Sequence, residues 1–245
     1  MKQESLVGLA QLIGESPAFK RVLQQAIDAA KREGTVLITG EIGTGKELMA
    51  RAIHRMGNRR RQSFVKLDCS SVVPARLEAE LFGAGKSRLE AANHGTLLLK
   101  HIEDVSEDLQ ANVLQAIEKR EFHRSGSATK VQIDVRLIAT TSDFGLTVQD
   151  SGLYKGLSHK RGLSILQIPP LRERQSDIPL LAWHFAKWWA QLMNKSIEAI
   201  PPAVMESLIN YRWPNNVREL EGVMERAVRS TEGLELVGEF PSSAA

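Results

Sequence analysis

One stretch, Gly40-Glu-Ile-Gly-Thr-Gly-Lys-Glu47, has the residue types and spacing to bind phosphate. The glycines allow a tight bend that turns successive backbone N–H groups toward one point. Lys46 adds a mobile ammonium. The apolar run Thr35-Val-Leu-Ile-Thr39 precedes the loop. After it, Leu48, Ala52 and Ile53 recur at helical spacing. Strand, glycine turn, lysine and helix form the context that phosphate binding requires, because the new helix points its positive dipole end at the ligand. The loop motif normally closes on a hydroxyl that touches magnesium. Here Glu47 stands in that place.

Elements on either side must hold this loop. Ser16-Pro17 is a helix start, with a capping hydroxyl and then proline at the first position. Phe19, Val22, Leu23, Ala26, Ile27 and Ala30 give that helix one apolar face, which ends near Gly34. Phe64–Asp68 alternates as a strand does, and Pro74–Phe82 reads as a short helix. Thr96-Leu-Leu-Leu99 is a continuous apolar run, as a strand buried on both faces requires. A helix with Leu109, Val113, Leu114 and Ile117 follows, then a strand over Gln132–Thr140. Strands alternating with helices predict a parallel sheet between helices.

The texture changes at Ile168-Pro-Pro170. Beyond Asp177, strand signals give way to three helical stripes. The first holds Ile178, Leu181, Ala182, Phe185, Trp188, Trp189 and Leu192. The second holds Val204, Met205, Leu208 and Ile209. The third holds Val217, Leu220, Val223, Met224 and Ala227. The Trp pair reads as core at this spacing. The expected organisation is a nucleotide-binding α/β domain over 1–172, a helical domain over 173–240 and a disordered tail over 241–245.

Composition sets few limits. Of 245 residues 42% are hydrophobic, enough for a sizeable core. The 32 basic and 29 acidic residues leave a net charge of +3, which does not by itself indicate nucleic acid. Arg59-Arg60-Arg61 reads as a solvated loop. Cys69 is the single cysteine, which excludes an internal disulfide, and it reads as a small core residue at a strand end. No apolar run reaches membrane-spanning length, so a cytoplasmic location and no membrane partner are expected. No metal cluster is expected.

Five groups of residues together resemble one family. They are Ile13-Gly-Glu-Ser16, Gly40–Glu47, Glu80-Leu-Phe-Gly83, Pro169-Pro-Leu-Arg-Glu-Arg174 with Asp177-Ile178, and Trp213-Pro-Asn-Asn-Val-Arg-Glu-Leu220. The chain resembles the AAA+ domain of bacterial enhancer-binding proteins, which remodel sigma-54 RNA polymerase. The resemblance implies an α/β AAA+ P-loop NTPase fold with a small all-helical C-terminal lid. It also implies ATP or ADP between sheet domain and lid, and rings with nucleotide at subunit interfaces. In this family Glu also closes the loop, so Glu47 is a family feature. By position, Gly40, Glu41, Gly43, Thr44, Gly45, Lys46 and Glu47 would surround the phosphates. Leu12 and Ile13 would lie near the adenine, and Arg218 would reach the outer phosphate. The sequence supports Arg218 separately. With Asn215 or Asn216 capping, it falls in a first helical turn, where an anion would offset the dipole.

The resemblance also marks departures. After the Leu97–Leu99 run the family places Asp-Glu, for magnesium and the attacking water. Here Lys100 and His101 stand there. Glu103 and Asp104 read as the solvated start of the next helix. The family's sigma-54 contact loop, between Gly83 and Gly95, is missing, so sigma-54 contact is not expected. The sensing Asn is Ser142. The arginine-finger positions hold Tyr154 and Lys160, with Arg161 one residue off. No helix-turn-helix follows the last stripe, so DNA contact is not expected of this chain. Three readings follow. The first is a regulatory module that binds ATP or ADP with weak turnover and little need of magnesium, self-associating or joining a related AAA+ ring. The second is an active ATPase using His101 and Arg161. The third is a regulator whose pocket takes a cyclic dinucleotide.

Overall fold

The computed structural model describes residues 12–83, 87–126, 130–142 and 162–241. Packing divides them into a sheet unit, built from 24–40 and 46–167, and a helical unit, built from 12–23, 41–45 and the part from 168 onward.

In the sheet unit β1 (Val36–Thr39), β2 (Phe64–Asp68), β3 (Thr96–Lys100), β6 (Arg136–Thr141) and β7 (Ser164–Gln167) form one sheet in the order β2-β3-β6-β1-β7. Every pairing is parallel. The three inner strands carry continuous apolar or small runs, broken only by the buried Arg136 that opens β6 and by Lys100 that ends β3. All of β1 and β6, and Thr96–Leu99 of β3, are buried. Strands covered on both faces need this pattern. The helices that follow β1 in this unit are α2 (Lys46–Met56), α3 (Pro74–Phe82), α4 (Arg88–Ala91) and α5 (Glu107–Lys119). Leu37, Leu97, Leu99, Leu137 and Ala139 share one core cluster with residues of three of them, α3, α4 and α5. Ser87 caps α4, its Oγ accepting from Glu90 N at 3.2 Å.

The strand expected over Gln132–Thr140 is two elements. Lys130–Gln132 (β5) pairs antiparallel with Glu121–His123 (β4), and the sheet strand starts at Arg136. The backbone between them changes partners. Ile133 N donates to Arg120 O at 2.8 Å, and Asp134 N to Asn93 Oδ1 at 2.8 Å. Arg59 is also more than a solvated loop residue. Its guanidinium pairs with Glu33 at 2.7 Å and Asp134 at 2.9 Å, and donates to the Asp134 carbonyl. Cys69 is buried directly after β2, where burial, ahead of the nearby carboxylates, pushes its thiol up to about 12.

The helical unit packs α6 (Ile178–Leu192), α7 (Pro202–Asn210) and α8 (Asn216–Ser230) around Leu181, Phe185, Leu208, Trp213, Leu220 and Met224. Trp213 is fully buried, with Nε1 donating to Leu208 O at 2.8 Å. The two adjacent tryptophans part company. Trp189 packs against this core, whereas Trp188 is 43% exposed and Leu192 58%. Neighbours on a helix point about 100° apart, so one tryptophan faces inward and the other out.

Helix α1 (Pro17–Ala30) begins as its sequence requires, with Ser16 Oγ accepting from Phe19 N at 3.3 Å. Within the helical unit Asp177 fixes this start. Its carboxylate is fully buried and accepts from Glu15 N at 2.6 Å, Ser16 N at 2.7 Å and Ser16 Oγ at 2.8 Å. Asp177→Ala leaves these buried donors without an acceptor, at a cost of about 3 kcal/mol. We expect a clear fall in the urea midpoint. Asp177→Asn, which keeps one carbonyl oxygen, should fall by less. Equal midpoints for wild type and Asp177→Ala would refute this role.

Candidate functional site

The carboxyl ends of parallel strands are where α/β sheets gather ligand-binding groups. Four such ends meet here. Gly40 follows β1, Asp68 ends β2, Lys100 ends β3 and Ser142 follows β6. Strand register sets Asp68 opposite Lys100, and Lys100 opposite Thr140.

Lys46 opens α2 and is 9% exposed. Its ammonium donates to the Gly40 carbonyl, and to Ser142 Oγ at 3.1 Å. Ser142, the position the resemblance marks for sensing, thus lies beside the Lys46 ammonium. Glu103 is the surprise. It lies on a 3-10 turn, Ile102–Asp104, ahead of α5 rather than at that helix's start. Its Oε1 accepts from Ser142 N at 2.9 Å. His101, just before that turn, has a left-handed backbone with φ 56°.

Glu47 and Asp68 are engaged by cations. Glu47 takes Arg51 at 3.0 Å, Lys66 at 3.2 Å and Lys100 at 3.3 Å. Lys100 also pairs with Asp68 at 2.7 Å. Burial works against all three charges, and the ion pairs outweigh it. Despite burial, Arg51, Lys66 and Lys100 hold Glu47 below the usual carboxylate range, and Lys100 does the same for Asp68. Lys100, partly buried, is held above the usual lysine value by Asp68 and Glu47. These residues do not fit magnesium. A hard cation needs several oxygen ligands, and these oxygens are already taken, Glu47 Oε1 by Arg51 and Lys66, Glu47 Oε2 and Asp68 Oδ2 by Lys100, and Asp68 Oδ1 by the Ser70 hydroxyl. Among the described residues no cluster of His, Cys, Asp and Glu fits a metal ion.

The loop's tip, Glu41–Gly45, packs within the helical unit. Gly43 has φ 81°, and a Cβ there would fall 2.0 Å from Asn215 O, so only glycine fits. Gly45 has φ 100°, and no neighbouring atom lies within 4 Å of where its Cβ would stand. Arg218 N donates to Gly43 O at 3.3 Å, in the first turn of α8. Asn215 and Asn216, expected as caps, make no side-chain cap. Asn216 is fully buried and serves the loop instead. Its Nδ2 donates to Ile42 O at 2.9 Å and to Glu41 Oε2 at 3.1 Å, while its Oδ1 accepts from Leu171 N at 2.7 Å. Arg172 grips Glu41 with two nitrogens, at 2.6 and 2.8 Å. Arg174 donates to Thr44 O at 3.3 Å and lies over the Phe19 ring, and burial lowers its guanidinium to about 10. Thr44 Oγ1 bonds to Glu41 O at 2.8 Å, inside the loop. Arg174 and Asn216 thus fix the loop's backbone, and Arg172 fixes its Glu41 side chain. Sequence reading placed Arg172 and Arg174 only in a motif, without this role. Leu12 and Ile13 are partly exposed, and Ile13 packs on the helical core. Tyr154, Lys160 and Arg161 lie outside the described residues.

The sigma-54 interaction domain profile matches residues 12–161, more than half of the 245. The chain belongs to the sigma-54 interaction domain family. A second profile, the AAA+ ATPase lid domain, matches residues 172–239. The chain is similar to the transcriptional activator HyfR of Escherichia coli K12, at 42% identity over 94% of this chain and 36% of HyfR. It is similar to ZraR of the same strain, at 40% identity over 89% of this chain and 52% of ZraR. Among solved structures, NtrX from Brucella abortus in complex with ADP superposes with a TM-score of 0.82 at 32% identity, over 93% of this chain and 53% of NtrX. NtrX in complex with ATP gives 0.79 at 31% identity, over 89% of this chain and 52% of that chain. The fold is thus that of an AAA+ P-loop NTPase with a helical lid. This member of the sigma-54 interaction domain family spans between a third and about half the length of HyfR and ZraR. Among its described residues, no helix is long and apolar enough to cross a membrane.

Proposed function

We propose that this domain binds ATP or ADP through Gly40–Glu47 and turns it over weakly, as the nucleotide-sensing module of a bacterial transcription regulator. Residues 1–172 form the nucleotide-binding part and 173–240 the lid. The single observation that carries this reading is a contrast in the sheet unit. Lys46 is placed by Gly40 and Ser142, while the end of β3 presents an ammonium tied to Asp68 and Glu47. The first feature suits phosphate binding. The second removes the carboxylate that phosphoryl transfer to water uses to hold magnesium. The NtrX complexes with ADP and ATP support nucleotide as the ligand. Arg218, in a helix's first turn beside Gly43, is the proposed contact to the outer phosphate. The test is calorimetric titration with ATP and ADP. Absence of heat at millimolar nucleotide sinks the reading.

The module is proposed to act without remodelling sigma-54 polymerase. Between Gly83 and β3 the described residues are a Ser87-capped helix and the short turn after it, and the contact loop of the resembling activators has no counterpart in the sequence. Transcription with sigma-54 polymerase at a promoter open to activation from solution should give no product above background. Open complexes there would overturn this point. A second reading, active hydrolysis, draws on one observation. Glu103 lies at Ser142, which itself touches Lys46, so its carboxylate is the available base.

A further inference from the structure

Glu47 and Asp68 come from different elements, the start of α2 and the end of β2, and meet at one ammonium. Lys100 reaches both because its strand stands in register beside Asp68. Its side chain is 19% exposed. A divalent ion at these carboxylates must displace the ammonium or share its site, and like charges at contact distance repel strongly where water is partly excluded. The ammonium meanwhile supplies a compact positive charge on a flexible stem.

We propose that Lys100 is a built-in counter-cation that bars a divalent ion from Glu47 and Asp68, so that the domain takes nucleotide phosphate without metal. The inference rests on the nucleotide reading above for its ligand, and on the ion pairs alone for its exclusion of metal.

Two measurements on the full chain test it. The first is titration with manganous ion alone, read by electron paramagnetic resonance. Wild type should leave the free-ion signal unchanged, and Lys100→Met, which removes the ammonium that the two carboxylates share, should attenuate it. The second is ADP affinity in magnesium and in EDTA. Wild type should differ by less than about threefold, while Lys100→Met should lose roughly tenfold in EDTA and recover with magnesium. Lys100→Arg keeps the charge and should stay indifferent to metal. Equal manganese binding by wild type and Lys100→Met overturns the proposal. A wild-type ADP affinity that collapses in EDTA also overturns it, even if Lys100→Met does not fold. If wild type binds no nucleotide under either condition, the nucleotide reading fails, and the manganese titration still decides whether Lys100 excludes metal.

Discussion

Lys46→Ala should abolish nucleotide binding. The ammonium is buried and held by a carbonyl and a hydroxyl, at the point where the loop turns into α2. Phosphate would gain a charge-assisted hydrogen bond there, and two such bonds are worth about 3 kcal/mol or more. That corresponds to a loss of over a hundredfold in affinity. The fold should survive, because the removed group bonds to oxygens at the carboxyl ends of β1 and β6 rather than packing in the hydrophobic core. Far-ultraviolet circular dichroism and thermal melting would check this, and calorimetry would read the affinity. Lys46→Ala binding ADP as tightly as wild type would remove the loop from the site. Gly43→Ala offers a second probe. Its Cβ has no room beside Asn215 O, so the loop would have to shift.

The second expected result is phosphate release by wild type no faster than by Lys46→Ala. The end of β3 offers a lysine and then a histidine, and the finger positions implied by the resemblance hold Tyr154 and Lys160. A trans arginine alone is worth roughly 10³ to 10⁵ in rate, and members of a catalytic set fail as a unit. Restoring Lys100→Asp and His101→Glu together should therefore recover only a small, magnesium-dependent rate. The structure adds a reason. Asp at 100 would face Asp68 in register and lie near Glu47. Wild-type turnover on the scale of seconds would defeat the weak-hydrolysis reading and point to Glu103. Glu103→Gln would then remove the activity.

The sequence made the scaffold legible where one local pattern decides the outcome. Thr96–Leu99 is apolar on both faces and became an inner strand. Ser16-Pro17 started a helix. Phe185, Leu208 and Leu220 lay on helical stripes and met in one core. Patterns failed where one periodicity ran across a change of partner, as at Ile133–Asp134, or where two adjacent residues shared a stripe, as with Trp188 and Trp189. Sequence reading also found the candidate loop, because its residues are contiguous. What surrounds the loop was hidden by distance along the chain. Glu41 meets Arg172 from 131 positions away, and Asn216 meets Ile42 from 174. Lys100 was visible as a departure, but its carboxylate partners depend on which strands lie side by side. Glu103 was misplaced because an acidic residue ahead of a helix is usually part of its solvated first turn, and only the fold brings Ser142 to it.

The register pairing of Asp68 with Lys100 has an evolutionary side. Each charge is the other's partner, so a substitution at either position is felt at the other. A change at Lys100 takes from Asp68 its paired cation and from Glu47 one of three, and a change at Asp68 weakens the anchorage of a partly buried ammonium. A single change to an acidic residue at position 100 would set two carboxylates opposite each other in register and destabilise the chain, unless position 68 lost its charge first. The order of mutations would then matter. The pair works as a ratchet, making the present chemistry easier to keep than to leave.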